Sequence, residues 1–234
     1  MLIPAKNEAA NLPGLLNEIH RALEGQSFEV IVVDDGSTDA TPELLRGLKR
    51  TQFPRLRILR NHHSLGQSTA LYHAAHAARG RWLATLDGDG QNDPADIPAM
   101  LALVRDGGVQ LVAGHRVHRR DSASKRWASR LANRLRSRLL RDGTPDTGCG
   151  LKLIDRAAFL RLPYFDHMHR FIPALIQRQQ GRVVIHPVNH RPRLAGVSNY
   201  GNLDRALVGM LDLFGVWWLI RRSRLEAYPR ELES

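Results

Sequence analysis

The chain has little cysteine and few aromatic residues, and it contains no long apolar run. Its single cysteine, Cys149, excludes an internal disulfide and is typical of a reducing compartment. No stretch reaches the roughly 18 apolar residues that a membrane-spanning helix needs, and we expect no signal peptide. Aromatic residues make up 6% of the chain and do not alternate with its basic residues, as stacking on single-stranded nucleic acid requires. These absences argue against a membrane-spanning protein and against a nucleic-acid-binding module.

Positive charge, in contrast, is abundant. Lys and Arg number 34 against 23 Asp and Glu, which gives a net charge of +11 over 234 residues. Much of this excess lies in residues 114–141, of which residues 122–141 are predicted to be helical. Such a charge implies an anionic partner, either a phosphorylated substrate or an anionic membrane surface.

Stretches that fit strands alternate with stretches that fit amphipathic helices through the first half of the chain. This order predicts an α/β fold with a doubly wound, mostly parallel sheet flanked by helices. Residues 1–202 are predicted to form this domain, and residues 203–234 an amphipathic helix and tail. In that helix, Trp217 and Trp218 precede a pair of arginines. This pattern fits either an interfacial helix on anionic lipid or a core helix that ends in solvated arginines.

Two apolar stretches of the predicted sheet end in carboxylates. Asp34 and Asp35 follow residues 28–33, and Asp87 follows residues 82–86. In open α/β sheets, ligands bind in the crevice beyond the carboxyl ends of the strands. The two acidic strand ends therefore predict one nucleotide-binding and metal-binding site at this edge of the sheet.

Asp87 and Asp89 are separated by a single glycine. We expect both side chains to project to the same side, because residues i and i+2 of an extended strand share a face. Two like charges held together favour a cation between them. Mg²⁺ takes one or two protein carboxylates together with substrate phosphates, and Gln91 offers a further neutral oxygen. If this motif is considered alone, an acidic turn without a metal ion is the alternative. The second acidic strand end favours the metal site.

With these residues assembled, the chain resembles family 2 glycosyltransferases, which have the GT-A fold. Within them it is similar to polyprenyl-phosphate glycosyltransferases of the dolichol-phosphate mannose synthase type. The resemblance covers nearly the whole chain and rests on motifs in a fixed order. They are Ile3-Pro-Ala-Lys-Asn-Glu8, Val32-Val-Asp-Asp-Gly-Ser37, Asp87-Gly-Asp-Gly-Gln91, Gly114-His-Arg116, the basic segment with Ser129, and Arg193-Leu-Ala-Gly-Val-Ser198.

This resemblance implies a metal-dependent, inverting transfer of a sugar from a GDP- or UDP-sugar to dolichyl or undecaprenyl phosphate. The implied sugar is a hexose, either mannose or a related sugar. The implied cofactor is Mg²⁺ or Mn²⁺. The implied location is cytoplasmic, at the cytoplasmic face of the membrane, with the C-terminal amphipathic helix on the anionic surface. Two alternatives stay open: another cell-envelope acceptor such as lipid A or a polysaccharide, and a degenerate, non-catalytic homologue.

The resemblance also implies roles for individual residues. The donor base and ribose would contact Pro4, Lys6, Glu8, Asp34 and Asp35. The metal ion would be held by Asp87, Asp89 and Gln91. The acceptor phosphate would meet Arg116, Arg126, Ser129, Arg193 and Ser198. Among these residues, Asp89, Arg116 and Arg126 are the predicted catalytic group. Lys6 stands where the family usually has an aromatic residue, which leaves the identity of the base open.

The chemistry of a phosphate acceptor fits the residues that the sequence offers. An alcohol acceptor needs a positioned general base, whereas a phosphate monoester, with a second pKa near 6, is already ionised at neutral pH. Arginines suit the binding of such an anion through permanently charged, bidentate contacts. Asp146 is the one further loop carboxylate predicted to belong to the site, and His167 and His169 are expected at the surface. A nucleotidyltransferase is disfavoured, because residues 4–11 do not form a glycine-rich phosphate loop.

Overall fold

The computed structural model describes residues 1–117, 136–192 and 202–222, and in the last of these it describes side chains from residue 208 onward. The strands are β1 (Leu2–Ala5), β2 (Ile31–Asp35), β3 (Arg57–Asn61), β4 (Trp82–Thr85), β5 (Val109–Arg116), β6 (Lys152–Asp155) and β7 (Arg182–Val188). The helices are α1 (Leu12–Ala22), α2 (Thr41–Thr51), α3 (Gln67–Ala77), α4 (Ile97–Ala102), α5 (Arg156–Leu160), α6 (Ile172–Arg178) and α7 (Asn202–Arg222).

The strands form one seven-stranded sheet in the order β3-β2-β1-β4-β6-β5-β7. Neighbours β1, β2, β3 and β4 pair in parallel, as do β5 and β7. The exception is β6, which runs antiparallel to β4 on one side and to β5 on the other. The prediction of a doubly wound, mostly parallel sheet is therefore confirmed, with one antiparallel strand inserted near its middle.

Helices cover both faces of this sheet, which is why its central strands are apolar on both sides. On one face, Leu16 of α1, Leu45 of α2 and Met100 of α4 pack in the same core cluster. On the other face, Leu71 of α3 and Leu175 of α6 belong to a second cluster. The parallel strands β1, β2 and β4 thus end together at one edge between these layers, where the predicted site lies.

Two short helical stretches have local causes. Residues 94–102 form a 3₁₀ turn over Pro94–Asp96 followed by the short helix α4. Helix α5 follows Asp155, whose side chain accepts a hydrogen bond from the backbone of Ala158 at 2.9 Å. This side-chain cap satisfies a backbone donor at the helix start and stabilises so short a helix.

Helix α7 has one covered face and one exposed face. Val216 is 2% exposed and packs in the core cluster that contains α3 and α6. On the other side, Leu211, Phe214 and Trp218 are 73%, 59% and 55% exposed. Within the part of the chain that the structure describes, no helix combines the length and the apolar character needed to cross a bilayer.

Candidate active site

The acidic pair lies beyond β4 and not within it. Because β4 ends at Thr85, Asp87 and Asp89 occupy the turn that follows, so the expectation that extended backbone aligns their side chains is wrong. In this turn, Asp89 Oδ1 accepts a hydrogen bond from the backbone N–H of Gln91 at 3.1 Å. The two carboxylates nevertheless interact. Burial, and then the charge of Asp89, raise the pKa of Asp87 to about 6.

Asp87 is held by neighbours from two other elements. Gln67, at the start of α3, donates to Asp87 Oδ1 at 2.8 Å. On the opposite side lies Gly150, where a Cβ atom would come within 2.2 Å of Asp87 Oδ2. Thr85 Oγ1 fixes that approach by donating to the carbonyl of Gly150 at 2.6 Å. A glycine is therefore required at position 150 for the carboxylate to occupy its place.

These residues fit a divalent cation. Asp87 and Asp89 repel each other through a medium of low polarity, and a cation between them would relieve that repulsion. In the described ranges no three His, Cys, Asp or Glu side chains converge. The protein would thus supply two carboxylates and the Gln91 amide, and the remaining positions would fall to phosphate and water oxygens, as is usual for Mg²⁺.

The carboxylates of the second acidic strand end are bound by residues of neighbouring loops and of β3. Asp34 Oδ1 accepts from the backbone of Ser37 at 2.9 Å, and Oδ2 pairs with Arg60 at 3.1 Å. Asp35 organises the loop after β3. Its two oxygens accept hydrogen bonds of 2.7 to 2.9 Å from Asn61, Ser64, Leu65 and Gly66. Burial alone would raise the pKa of Asp35, but these four bonds hold it below its ordinary value.

The segment after β1 lies at the same edge. Lys6 is exposed, whereas Glu8 is buried and accepts from the side chain of Asn11 at 2.6 Å. Pro4 is half-buried, and its carbonyl lies 3.1 Å from where a Cβ of Gly88 would be. The close passage of Gly88 brings the turn that carries Asp87 and Asp89 against the end of β1.

Arg116 is the last residue of β5, and Asp146 fixes its orientation. Nε and Nη2 of the guanidinium each donate to one Asp146 oxygen at 2.7 Å, and the backbone N–H of Arg116 adds a bond of 3.2 Å. Burial alone would lower the pKa of Arg116, but the bond to Asp146 raises it. The structure therefore brings the predicted acceptor-binding arginine together with the loop carboxylate that sequence analysis singled out.

A cavity of about 170 Å³ lies between Asp87 and the loop that follows Asp146. Its wall includes Gln67, Asp87, Thr147, Lys152, His169 and Arg170. Lys152 is 4% exposed and donates to the carbonyl of Cys149. Burial lowers the pKa of this ammonium, while Asp87 and Asp146 oppose the shift.

Lys152 and His169 are among the cavity residues that sequence reasoning missed. Lys152 is the one charged residue in the otherwise apolar stretch 151–154, and that contrast was the signal that would have found it. His169, which was expected at the surface, lies on the cavity wall with Nδ1 2.8 Å from Ser68 Oγ. Burial, followed by the charge of Lys152, lowers the pKa of His169 to about 3, so the imidazole is neutral at physiological pH.

The loop after β7 holds the segment that carries Gln91. Arg191 donates from its backbone to the carbonyl of Gln91 at 2.9 Å. Its guanidinium pairs with Glu18 of α1 at 2.8 Å and with Asp93 at 2.6 Å. Four predicted site residues cannot be placed in the same way, because Arg126, Ser129, Arg193 and Ser198 lie outside the described residues.

A larger cavity of about 340 Å³ lies at the opposite edge of the sheet. Its wall includes Met1, Phe28 and Trp82, at the beginning of the strands, and it contains none of the predicted site residues. Of the described predicted site residues, Asp87 lies on the wall of the smaller cavity.

Comparison with known proteins gives one family. A model of this family, described as "Glycosyl transferase family 2", matches residues 1–162. Dodecaprenyl-phosphate galacturonate synthase of Rhizobium johnstonii is 34% identical over 94% of this chain and 67% of its own length. Undecaprenyl-phosphate 4-deoxy-4-formamido-L-arabinose transferase of Edwardsiella ictaluri is 32% identical over 91% of this chain and 66% of its own. The chain thus spans about two thirds of the length of these curated relatives.

Solved structures share the fold. Glucosyl-3-phosphoglycerate synthase from Mycobacterium tuberculosis in complex with UDP superimposes with a TM-score of 0.70 at 20% identity, over 94% of this chain and 78% of that one. A complex of the same enzyme with Mn²⁺, UDP and phosphoglyceric acid gives a TM-score of 0.70 at 19% identity, over 94% and 76% of the two chains. At this level of identity the likeness concerns the fold.

Proposed function

The chain belongs to glycosyl transferase family 2, and from this premise we propose that it transfers a sugar from a nucleotide donor to a polyprenyl phosphate. The curated relatives that it matches are named for sugar transfer to dodecaprenyl or undecaprenyl phosphate. The observation that carries the proposal is the cavity between Asp87 and the loop that follows Asp146, the residue that binds Arg116. A carboxylate pair suited to a metal-bound diphosphate would then lie on one side of this loop, and a guanidinium suited to a phosphate on the other.

Donor binding is proposed at the acidic edge. Pro4, Lys6 and Glu8 would line the base and ribose together with Asp34, while Asp35 would act by holding the loop after β3 in place. Asp87, Asp89 and Gln91 would hold Mg²⁺ or Mn²⁺ against the diphosphate, where the ion supplies Lewis acidity to the leaving group. The choice between GDP and UDP would depend on contacts of the base with the segment around Lys6.

Acceptor binding is proposed on the other side of the cavity. Arg116, oriented by Asp146, would contact the polyprenyl phosphate, and Arg126, Ser129, Arg193 and Ser198 would complete the clamp. An oxygen of the phosphate would attack the anomeric carbon as the bond to the donor diphosphate breaks. The transferred sugar would be a hexose, mannose or a related sugar, and the configuration at its anomeric carbon would be inverted. Because the phosphate is already ionised at neutral pH, the step needs no general base.

Helix α7 is proposed to lie on the anionic surface of the membrane at its cytoplasmic face. Leu211, Phe214 and Trp218 form an exposed apolar stripe, and Arg221 stacks over the ring of Trp217 at 4.5 Å near the helix end. An apolar face next to arginines is the pattern of a helix that rests in the headgroup region. Residues 1–202 would then be the catalytic domain and residues 203–234 its interface segment.

Transfer into the organic phase tests the proposal. The protein is incubated with labelled GDP- and UDP-sugars, undecaprenyl or dolichyl phosphate, and Mg²⁺ or Mn²⁺. We expect lipid-extractable label only when metal is present. Asp89→Asn should reduce the rate by more than about 100-fold, because a metal ligand is lost. Asp106→Asn, at an exposed position, is the matched control and should leave the rate unchanged.

Two results would overturn parts of this proposal. Transfer that persists in EDTA, or in Asp89→Asn, would reject the metal role. Label that reaches lipid A or a polysaccharide but not a polyprenyl phosphate would assign another acceptor. Failure with every donor and acceptor would favour a non-catalytic homologue.

A further inference from the structure

We propose that helix α7 helps to build the active-site cavity, and that its residue Asp212 is a positioning residue for the transfer reaction. Asp212 contacts the wall turn, residues 167–170, and two residues of this turn line the cavity. The inference rests on the proposed function, because the cavity takes its role from that function. It goes further by giving the C-terminal helix a part in the reaction that is separate from membrane binding.

Helix α7 has one face that packs on the protein, and Asp212 belongs to it. Gly209, Asp212 and Val216 follow one another at the spacing of a single helix face. Val216 is buried in the core cluster that contains α3 and α6. The exposed apolar stripe proposed to rest on lipid lies on the other side of the helix. The side chain of Asp212 is 19% exposed, so it faces the domain and is separate from the stripe.

This covered face of α7 contacts the wall turn at two points. Asp212 Oδ2 lies 3.3 Å from His167 Nδ1. Arg170 Nη1 lies 3.9 Å from the position that a Cβ atom of Gly209 would occupy. Burial raises the pKa of Asp212, and the charges of His167 and Arg170 oppose that rise. The first and the last residue of the turn therefore interact with one carboxylate of α7.

The contact restrains a residue whose backbone conformation is uncommon. The φ angle of His167 is 61°, in the left-handed region that few residues other than glycine adopt. Asp166 Oδ1 accepts a hydrogen bond from the backbone N–H of His167 at 2.7 Å, while the imidazole contacts Asp212. Backbone and side chain are thus both restrained where the chain enters the wall turn.

His169 joins the wall turn to the cavity and to α3. Its Nδ1 lies 2.8 Å from Ser68 Oγ, and its backbone N–H donates to the same oxygen at 3.3 Å. Ser68 is 1% exposed in the first turn of α3. Its neighbour Gln67 lines the cavity together with His169 and Arg170. A displacement of the turn would therefore move side chains that surround the substrate in the proposed reaction.

Other contacts keep the turn folded when Asp212 is changed. Met168 and Phe171 are 1% and 4% exposed and pack in the core cluster of α3 and α6. Loss of the Asp212 contact should therefore shift the polar side chains of the turn without unfolding it. The proposed metal ligands Asp87 and Asp89 lie on another segment. Donor binding should thus be kept, whereas the fit of the site to the transition state should be weakened.

Steady-state kinetics test the inference. The full chain is assayed with Mn²⁺, the labelled GDP- and UDP-sugars of the transfer assay, and undecaprenyl phosphate in a neutral detergent, so that no anionic surface is present. Asp212→Asn keeps the size of the side chain and removes its charge. We expect kcat to fall by about tenfold or more, because small misplacements in a site are costly. The donor KM should stay within about twofold of the wild type. Met210→Gln, at an exposed position of the same helix, is the matched control and should keep the wild-type kcat.

A double-mutant cycle shows whether Asp212 acts through the wall turn. His167→Asn removes the imidazole, and asparagine tolerates a left-handed backbone. Because Asp212 and His167 share one contact, the double variant should lower kcat no further than the larger of the two single variants. Circular dichroism checks that each variant is folded. If Asp212→Asn failed to fold, the kcat of His167→Asn, for which we expect a similar loss, would decide the question.

The contrary outcomes separate this inference from the proposed function. If the wild type transfers sugar and Asp212→Asn does so with the same kcat, the inference alone is wrong. It is also wrong if the double variant shows the product of the two single losses, because the residues then act independently. A higher donor KM at unchanged kcat would assign Asp212 to donor binding and overturn its positioning role. If the wild type transfers no sugar from any donor, the proposed function fails and the inference falls with it.

Discussion

At the scale of single residues, Asp35 offers a direct test of how the site is built. Its carboxylate accepts four hydrogen bonds, one from Asn61 at the end of β3 and three from the loop that follows, and two of the four come from backbone N–H groups. Asp35→Asn places an amide NH₂ against some of these donors and removes the charge. We expect the free energy of unfolding at pH 7 to fall by about 2–3 kcal/mol, measured by urea denaturation.

The pH dependence of this loss distinguishes the charge from the shape of the side chain. The pKa of Asp35 is lower in the folded protein, so its stabilising contribution is present above the unfolded value of about 3.9 and is lost as the pH falls through the folded pKa. The stability gap between Asp35→Asn and the wild type should therefore narrow below about pH 4. Asp106→Asn, at an exposed position, should have the same free energy of unfolding as the wild type, both at pH 7 and below about pH 4. A gap that stays constant with pH would contradict the electrostatic account.

Residue types at strand ends predicted the acidic character of the sheet edge, but not the local geometry around Asp87. The acidic character of the sheet edge followed from the order of apolar and acidic residues. The turn that carries Asp87 and Asp89 did not follow from that order. The apolar run of residues 82–86 does not show whether the strand ends at residue 85 or at residue 86. The need for a glycine at position 150 was also hidden, since it depends on Asp87, a residue 63 positions earlier in the chain.

At the scale of elements, the exposed stripe of α7 gives a prediction about membrane binding. Phe214→Glu or Trp218→Glu should weaken binding to vesicles that contain phosphatidylglycerol by about tenfold or more, because the burial of one large apolar side chain is lost. Co-sedimentation measures the bound fraction. Leu103→Glu, an equivalent change at an exposed position on the main domain, is the control and should leave binding intact. Equal binding by the α7 variants and the wild type would assign this stripe to another partner.

The parallel elements were predictable because their signals are local, whereas β6 and α5 were not. The units β1–α1 and β2–α2 each show a change from a short apolar run to an amphipathic helix. Residues 151–154 are apolar apart from Lys152, but no local sequence pattern indicates that this stretch forms a strand antiparallel to β4 and β5. That insertion carries Lys152 into the interior beside Asp87. The charge of Lys152 stands out in the sequence, but its position beside Asp87 depends on this antiparallel pairing.

At the scale of the whole molecule, Arg191 joins parts of the chain that lie far apart in sequence. Its partner Glu18 is 173 positions away, and its backbone N–H binds the carbonyl of Gln91. No local sequence pattern predicts such a contact. The segment that would carry the third metal ligand is thus joined to the loop after β7, and through Arg191 to α1.

This connection predicts that Arg191→Gln acts on metal binding more than on stability. Arg191 is partly exposed, so its ion pairs with Glu18 and Asp93 should contribute less than about 1 kcal/mol to folding. Loss of the pairs frees the Gln91 segment, and we expect Mn²⁺ affinity to fall by about tenfold in calorimetric titration. Arg46→Gln removes an exposed arginine that pairs with Glu43 and should change neither quantity. Unchanged Mn²⁺ affinity in Arg191→Gln would mean that the turn after β4 holds Gln91 by itself.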